Sequence, residues 1–300
     1  MQTAIIFILV FCSALFFGAI AAYPVYLLIS PFSDMEFHRV ISRTSLISGL
    51  LFSLLYLRYY GLLSKKGLAW QTTRLSKTQT LILYMLAGSA IVMVMDIALL
   101  QLNIYQFDAK ADTSVSKLIT VVFKALLSGL IVGLVEETIF RGALFGGLKK
   151  QSNWIVAMLV TSLLYAAVHF LKYRAVPEDV TIGWLTGIQI FPAALFRFSN
   201  PVTIDSFITL FILGMLFAFI RNRSKSIISC IGLHAGIVLT LKIFNYLTNY
   251  QTGSQYDYLV NKIDHQFGFL ASGVLLISIL VYHLLSSSFT TVQSISNKNV

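Results

Sequence analysis

Charge is scarce in this chain. Only 11% of its 300 residues are charged and 57% are hydrophobic, whereas a soluble domain carries roughly a quarter charged residues. That shortage excludes an ordinary soluble globular fold. Cysteine is scarcer still. Cys12 and Cys230 both lie in apolar stretches and make neither a CxxC pair nor a disulfide framework. No HExxH zinc helix and no GxSxG nucleophile elbow occurs. The alternating strands of a membrane barrel are also missing. The formal net charge is +10, but the basic residues gather on no soluble face, so nucleic acid is not an expected partner.

Long apolar runs are what the chain does have. About 20 apolar residues of helix cross a bilayer, and spanning backbone without water must satisfy its own polar groups. The expected spans are residues 4–30, 43–63, 78–101, 115–148, 154–171, 203–220, 226–247 and 266–287. The fold class is therefore all-α: a polytopic transmembrane helix bundle of about eight spans. Residues 1–300 make one membrane domain, with a core at 115–247. The fourth run is long enough to be tilted or kinked. The apolar start, Met1 to Ala22, lacks a basic residue and is read as a retained first span, with a cleaved signal as the lesser alternative.

The charges that remain are unevenly placed. Arg58, Lys65, Lys66, Arg74 and Lys77 follow span two, Lys149 and Lys150 follow span four, and Arg221, Arg223 and Lys225 follow span six. With eight spans these lie on one side. The other loops hold Asp34, Glu36, Asp108, Asp112, Glu178 and Asp179. The positive side faces the cytoplasm, so both termini are expected there and the lipid bilayer is an obligate partner. The segment 172–202 mixes Trp184, Phe191, Phe196 and Phe198 with Pro177, Pro192 and Pro201. It reads as an interfacial segment or as a lid. Residues 288–300 read as a flexible tail.

Three ionisable residues interrupt span four: Glu136, Glu137 and Arg141. Each costs about 2.5 kcal/mol or more at a bilayer centre, so such residues mark function. Glu137 and Arg141 are four apart and can pair on one helical face. Gly129 and Gly133 extend that stripe and let a neighbouring helix approach closely. Glu136 is rotated about 100° away, which leaves its carboxylate for chemistry. His169 ends span five and His234 lies in span seven. Measured from the basic side, Glu136, His169 and His234 sit roughly 18, 22 and 12 Å along their helices, near one level. A carboxylate and two imidazoles suit water activation by general acid–base chemistry.

Glu136-Glu137-x-x-x-Arg141, an aromatic Tyr165 four residues before His169, and His234 in a later span together resemble the CPBP family. This is the group of CAAX proteases and bacteriocin-processing enzymes, glutamic intramembrane endopeptidases of the CAAX prenyl protease 2 type. The resemblance covers spans four to seven, including Gly214 and the Arg223–Ser226 turn. It implies an eight-helix protease with a conical cavity open to membrane and cytoplasm; the expected location is a bacterial inner membrane. Glu136 would activate water with His169, His234 would help form the oxyanion site, and Glu137 with Arg141 would support them. The family commonly has Asn or Asp four residues after the second histidine, where this chain has Val238. Asn245 lies about 16 Å beyond His234 along the helix, too far to substitute.

The expected activity is that of a membrane-embedded peptidase acting on a peptide or protein with a membrane-associated segment, without a cofactor. Three alternatives stand beside it. Glu136, His169 and His234 could instead bind zinc, as catalytic zinc sites often have three protein ligands. Intramembrane Glu, His and Arg also serve proton-coupled transporters, although no inverted repeat is visible. A non-catalytic scaffold or bacteriocin-immunity protein could use the same fold.

Overall fold

Apolar runs bounded by polar caps dictate the helices of this chain. A computed structural model describes residues 2–61, 64, 67–72, 75–170, 173, 175, 176, 180–195 and 204–296. α1 spans Gln2–Ile29 and α2 Phe37–Tyr59. α3, Lys77–Gln101, starts at a reciprocal cap: Gln79 N donates to Ser76 Oγ at 3.2 Å and Ser76 N to Gln79 Oε1 at 3.0 Å. α4 is Val115–Glu137. A π-helical segment, Thr138–Leu144, joins it to α5, Phe145–Gln151.

The Asn153 side chain caps α6, Trp154–His169, accepting from Ile155 N and Val156 N. α7, Thr186–Leu195, precedes α8, Ile204–Ser224. The Ser226 side chain caps α9, Ile227–Leu247. α10 is Phe269–Ser296. The polytopic all-α bundle is thus as the sequence implies.

Among the described residues, six stretches are long and apolar enough to cross a membrane: Ile8–Ile29, Lys77–Gln101, Val115–Gln151, Ile204–Ser224, Ile227–Leu247 and Phe269–Ser286. The other two expected spans are helical as well. α6 has 16 residues, and α2 carries Arg39, Arg43 and Arg58 along with several serines. α2 begins well before the expected residue 43, because its first turns are polar and an apolar window overlooks them. Leu46, Ile47, Leu83, Leu86, Ile131, Ile277 and Leu280 all point outward. Outward apolar belts of this kind suit lipid rather than water.

α9 sits at the centre, between α3 and α4. A Cβ at Gly129 would stand 2.8 Å from Ala235 O, and one at Gly133 would stand 3.2 Å from His234 Cβ. The glycine stripe on α4 is therefore what lets α9 approach, as its spacing implies. A short two-stranded ribbon, which the apolar runs do not foreshadow, joins the helices. Tyr105–Phe107 (β1) and Thr248–Tyr250 (β2) pair antiparallel, Tyr105 opposite Tyr250. This ribbon ties the α3–α4 loop to the end of α9.

Of the segment 172–202, α7 packs against α1, and Trp184 meets Tyr23 with ring centroids 5.2 Å apart. Glu178, Asp179, Phe196, Phe198 and Pro201 lie outside the described residues, and so does the lid reading as far as it rests on them. The expected tail at 288–300 overlaps the end of α10, and residues 297–300 lie outside the described residues.

Candidate active site

Two adjacent glutamates at the end of α4 lie in different surroundings. Glu137 faces inward with Gly129 and Gly133 and is fully buried. Its Oε2 lies 3.3 Å from Arg141 Nε, and the arginine is fully buried too. The π-helical segment beginning at Thr138 carries Arg141; single π turns within α-helices are frequent at functional sites. Arg141 Nη2 donates to Gly214 O of α8 at 3.2 Å. Its guanidinium lies 4.4 Å from the Tyr165 ring centroid and 4.9 Å from that of Phe217. Such cation–π contacts strengthen when desolvated. A buried arginine is thereby held by a carboxylate, a carbonyl and two aromatic faces.

His234 joins this buried group. Its Nδ1 lies 3.0 Å from Glu137 Oε1, and its ring stacks on Phe217 at 5.4 Å. An ionised carboxylate only accepts, so Nδ1 carries the proton and Nε2 faces away from the pair.

Glu136 lies about 100° around the helix from Glu137, and its side chain is 25% exposed. Its partner is His169, at the last turn of α6. His169 Nδ1 lies 2.7 Å from Tyr165 O. A carbonyl cannot donate, so Nδ1 is the N–H. In the neutral ring, Nε2 is then the basic nitrogen. Nε2 stands 3.8 Å from Glu136 Oε2, beyond a direct hydrogen bond. Glu136 Oε2 is buried without a hydrogen-bond partner. Two acceptors at this separation can share one bridging water.

Two cavities meet at this pair. One, of about 480 Å³, is lined by Glu136, His169 and His234 together with Tyr165, Val238, Ser206, Asn261 and Asp264. The other, of about 230 Å³, is lined by Glu136 and His169 with Phe11, Leu15, Phe191 and a small, polar stripe of α2 (Ser42, Ser45, Gly49, Ser53). Tyr173 also lines it and meets Ser45 Oγ at 3.2 Å. Burial pushes the Tyr173 hydroxyl above the ordinary tyrosine range, opposed by that bond, so it stays protonated.

Residues 118–240 match the Rce1-like family model, that of the type II CAAX prenyl endopeptidases. The matched stretch is less than half of the chain, yet it holds Glu136, Glu137, Arg141, His169 and His234. It supports the CPBP family that the motifs resemble, and at the level of the family a CAAX-type intramembrane protease. No curated protein and no solved structure gives a significant match.

All five residues singled out in the sequence meet within the Rce1-like stretch, but in two groups. Glu136 pairs with His169, whereas His234 pairs with Glu137. Among the described residues, no three His, Cys, Asp or Glu side chains converge as a metal would require. Sequence reasoning overlooked the cavity's polar end. Asp264 accepts from Ser206 Oγ at 2.8 Å, and Asn261 donates to Asp205. These residues come from the loop before α10 and the start of α8, and no motif joins them. The α2 stripe did leave a signal, since Ser42, Ser45, Gly49 and Ser53 recur at helical spacing.

Proposed function

We propose that this chain is an intramembrane endopeptidase that hydrolyses a peptide bond with water activated by Glu136 and His169. The observation that carries the reading is the 3.8 Å gap between Glu136 Oε2 and His169 Nε2 at the junction of two cavities. A substrate carbonyl at that junction would meet the water held by both groups. Glu136 takes a proton from the water as its oxygen attacks the carbonyl carbon. The same proton then goes to the leaving amine as the C–N bond breaks. His169, its Nδ1 held by Tyr165 O, keeps the water oriented through Nε2.

Glu137 and Arg141 act by position in this scheme. They hold His234 so that its Nε2 can donate to the oxyanion when the ring is doubly protonated. Val238 contributes no hydrogen-bonding side chain to that cavity, so His234 carries the oxyanion with whatever backbone groups reach it. The substrate is a peptide or protein with a membrane-associated segment. In this reading both termini and the basic turns face the cytoplasm of a bacterial inner membrane.

The test is a peptidase assay on detergent-solubilised protein against a mixed peptide library read by mass spectrometry. Cleavage by the wild type that disappears in Glu136→Gln supports the reading. Cleavage retained in that variant sinks it.

A further inference from the structure

Five cations stand at one end of the bundle. Lys149 and Lys150 close α5, and Arg221, Arg223 and Lys225 close α8 and the turn behind it. The fold brings the two turns together. Lys149 Nζ donates to Asn222 Oδ1 at 2.6 Å, and it feels the charges of both Lys225 and Arg221. Lys225 holds φ at +57°, a left-handed backbone that long side chains seldom adopt. Nε of Arg221 is buried with no partner. Among the described residues no carboxylate pairs with Lys149, Arg221 or Lys225.

Positive-inside bias accounts for the sign of these residues. It does not account for gathering them from two helices around a guanidinium nitrogen without a counter-ion. Like charges repel more strongly as water is withdrawn, so the cluster is poised for an anion. A phosphate suits it. Its oxygens accept from the fork of an arginine and from lysine as a point charge.

Aromatic packing sets the level. Trp154 lies 6.2 Å from Phe219, and Phe219 lies 6.0 Å from Tyr282. Trp and Tyr concentrate where lipid headgroups begin, and basic pockets between helices at that level bind anionic headgroups.

We propose that Lys149, Arg221 and Lys225 form a binding site for a phosphate-type anion, filled by the phosphodiester headgroup of an anionic phospholipid. The site is separate from the candidate active site and does not depend on the proteolytic reading.

The test uses full-length protein in detergent mixed with phosphatidylglycerol, phosphatidylcholine or inorganic phosphate. Native mass spectrometry reads the retained lipid, and thermal unfolding reads stabilisation. The wild type is expected to retain phosphatidylglycerol in preference to phosphatidylcholine. K149Q/K225Q, which leaves the buried arginine in place, is expected to weaken that preference by ~5-fold per cation removed. K110Q/K117Q removes the same charge elsewhere and is expected to leave it unchanged. Stabilisation by inorganic phosphate alone, lost in K149Q/K225Q, would keep the anion site but overturn the lipid as its source. Equal retention of both lipids with no phosphate effect, or equal loss in both variants, would overturn the site itself.

Discussion

The His234 imidazole donates from Nδ1 to Glu137 Oε1 across 3.0 Å, so two neighbouring glutamates serve two different histidines. Glu137, Arg141 and His234 form a buried group joined by an ion pair and a hydrogen bond. Glu136 and His169 face the cavities with a carboxylate oxygen left free. Adjacent residues of one type thereby take different tasks, and substitution can separate them.

Glu136→Gln keeps the size of the side chain and removes its basicity. It is expected to abolish peptide cleavage and leave unfolding in detergent unchanged. Glu137→Gln is expected to do the reverse first. It leaves Arg141 buried without its counter-charge, at a cost of about 3–5 kcal/mol. Parallel unfolding and cleavage measurements on the two variants check this. Equal destabilisation of both would contradict the division of roles.

His169→Ala removes the imidazole that stands 3.8 Å from Glu136 Oε2. The expected result is at least a ~100-fold fall in kcat, typical of a lost acid–base partner, with membrane insertion intact. Single-turnover kinetics on equal amounts of inserted protein make the comparison. A loss confined to KM would instead assign His169 to binding.

Gly133 lets the His234 backbone approach α4. Gly133→Ala would place a Cβ 3.2 Å from His234 Cβ and is expected to cost about 1–3 kcal/mol as overpacking. The displaced ring should also lower kcat more than it raises KM. An unchanged kcat would show that His234 is not held by this contact.

Chelation separates the two mechanisms that share these residues. Treatment with a strong zinc chelator is expected to leave cleavage intact if water is activated by Glu136 and His169 alone. Activity lost on chelation and restored by zinc would move Glu136, His169 and His234 to the role of metal ligands. Metal analysis of the purified protein provides an independent reading.

The sequence alone determined the membrane class and most of the long helices, and it singled out the five residues of the candidate site. Each of these is local. Apolar length marks a span, an ionisable group in an apolar run stands out by its cost, and Gly129 with Gly133 shows its face through helical spacing. Only the tertiary structure decided how those five residues divide. Whether His234 meets Glu136 or Glu137 depends on how α9 docks on α4, to within one residue's rotation. The meeting of the Lys149 and Arg221 turns, the ribbon between Tyr105 and Tyr250, and the polar cavity end at Asn261 and Asp264 were hidden for a related reason. Each joins segments far apart in the chain, and no spacing rule within one helix reports which distant surface will cover it.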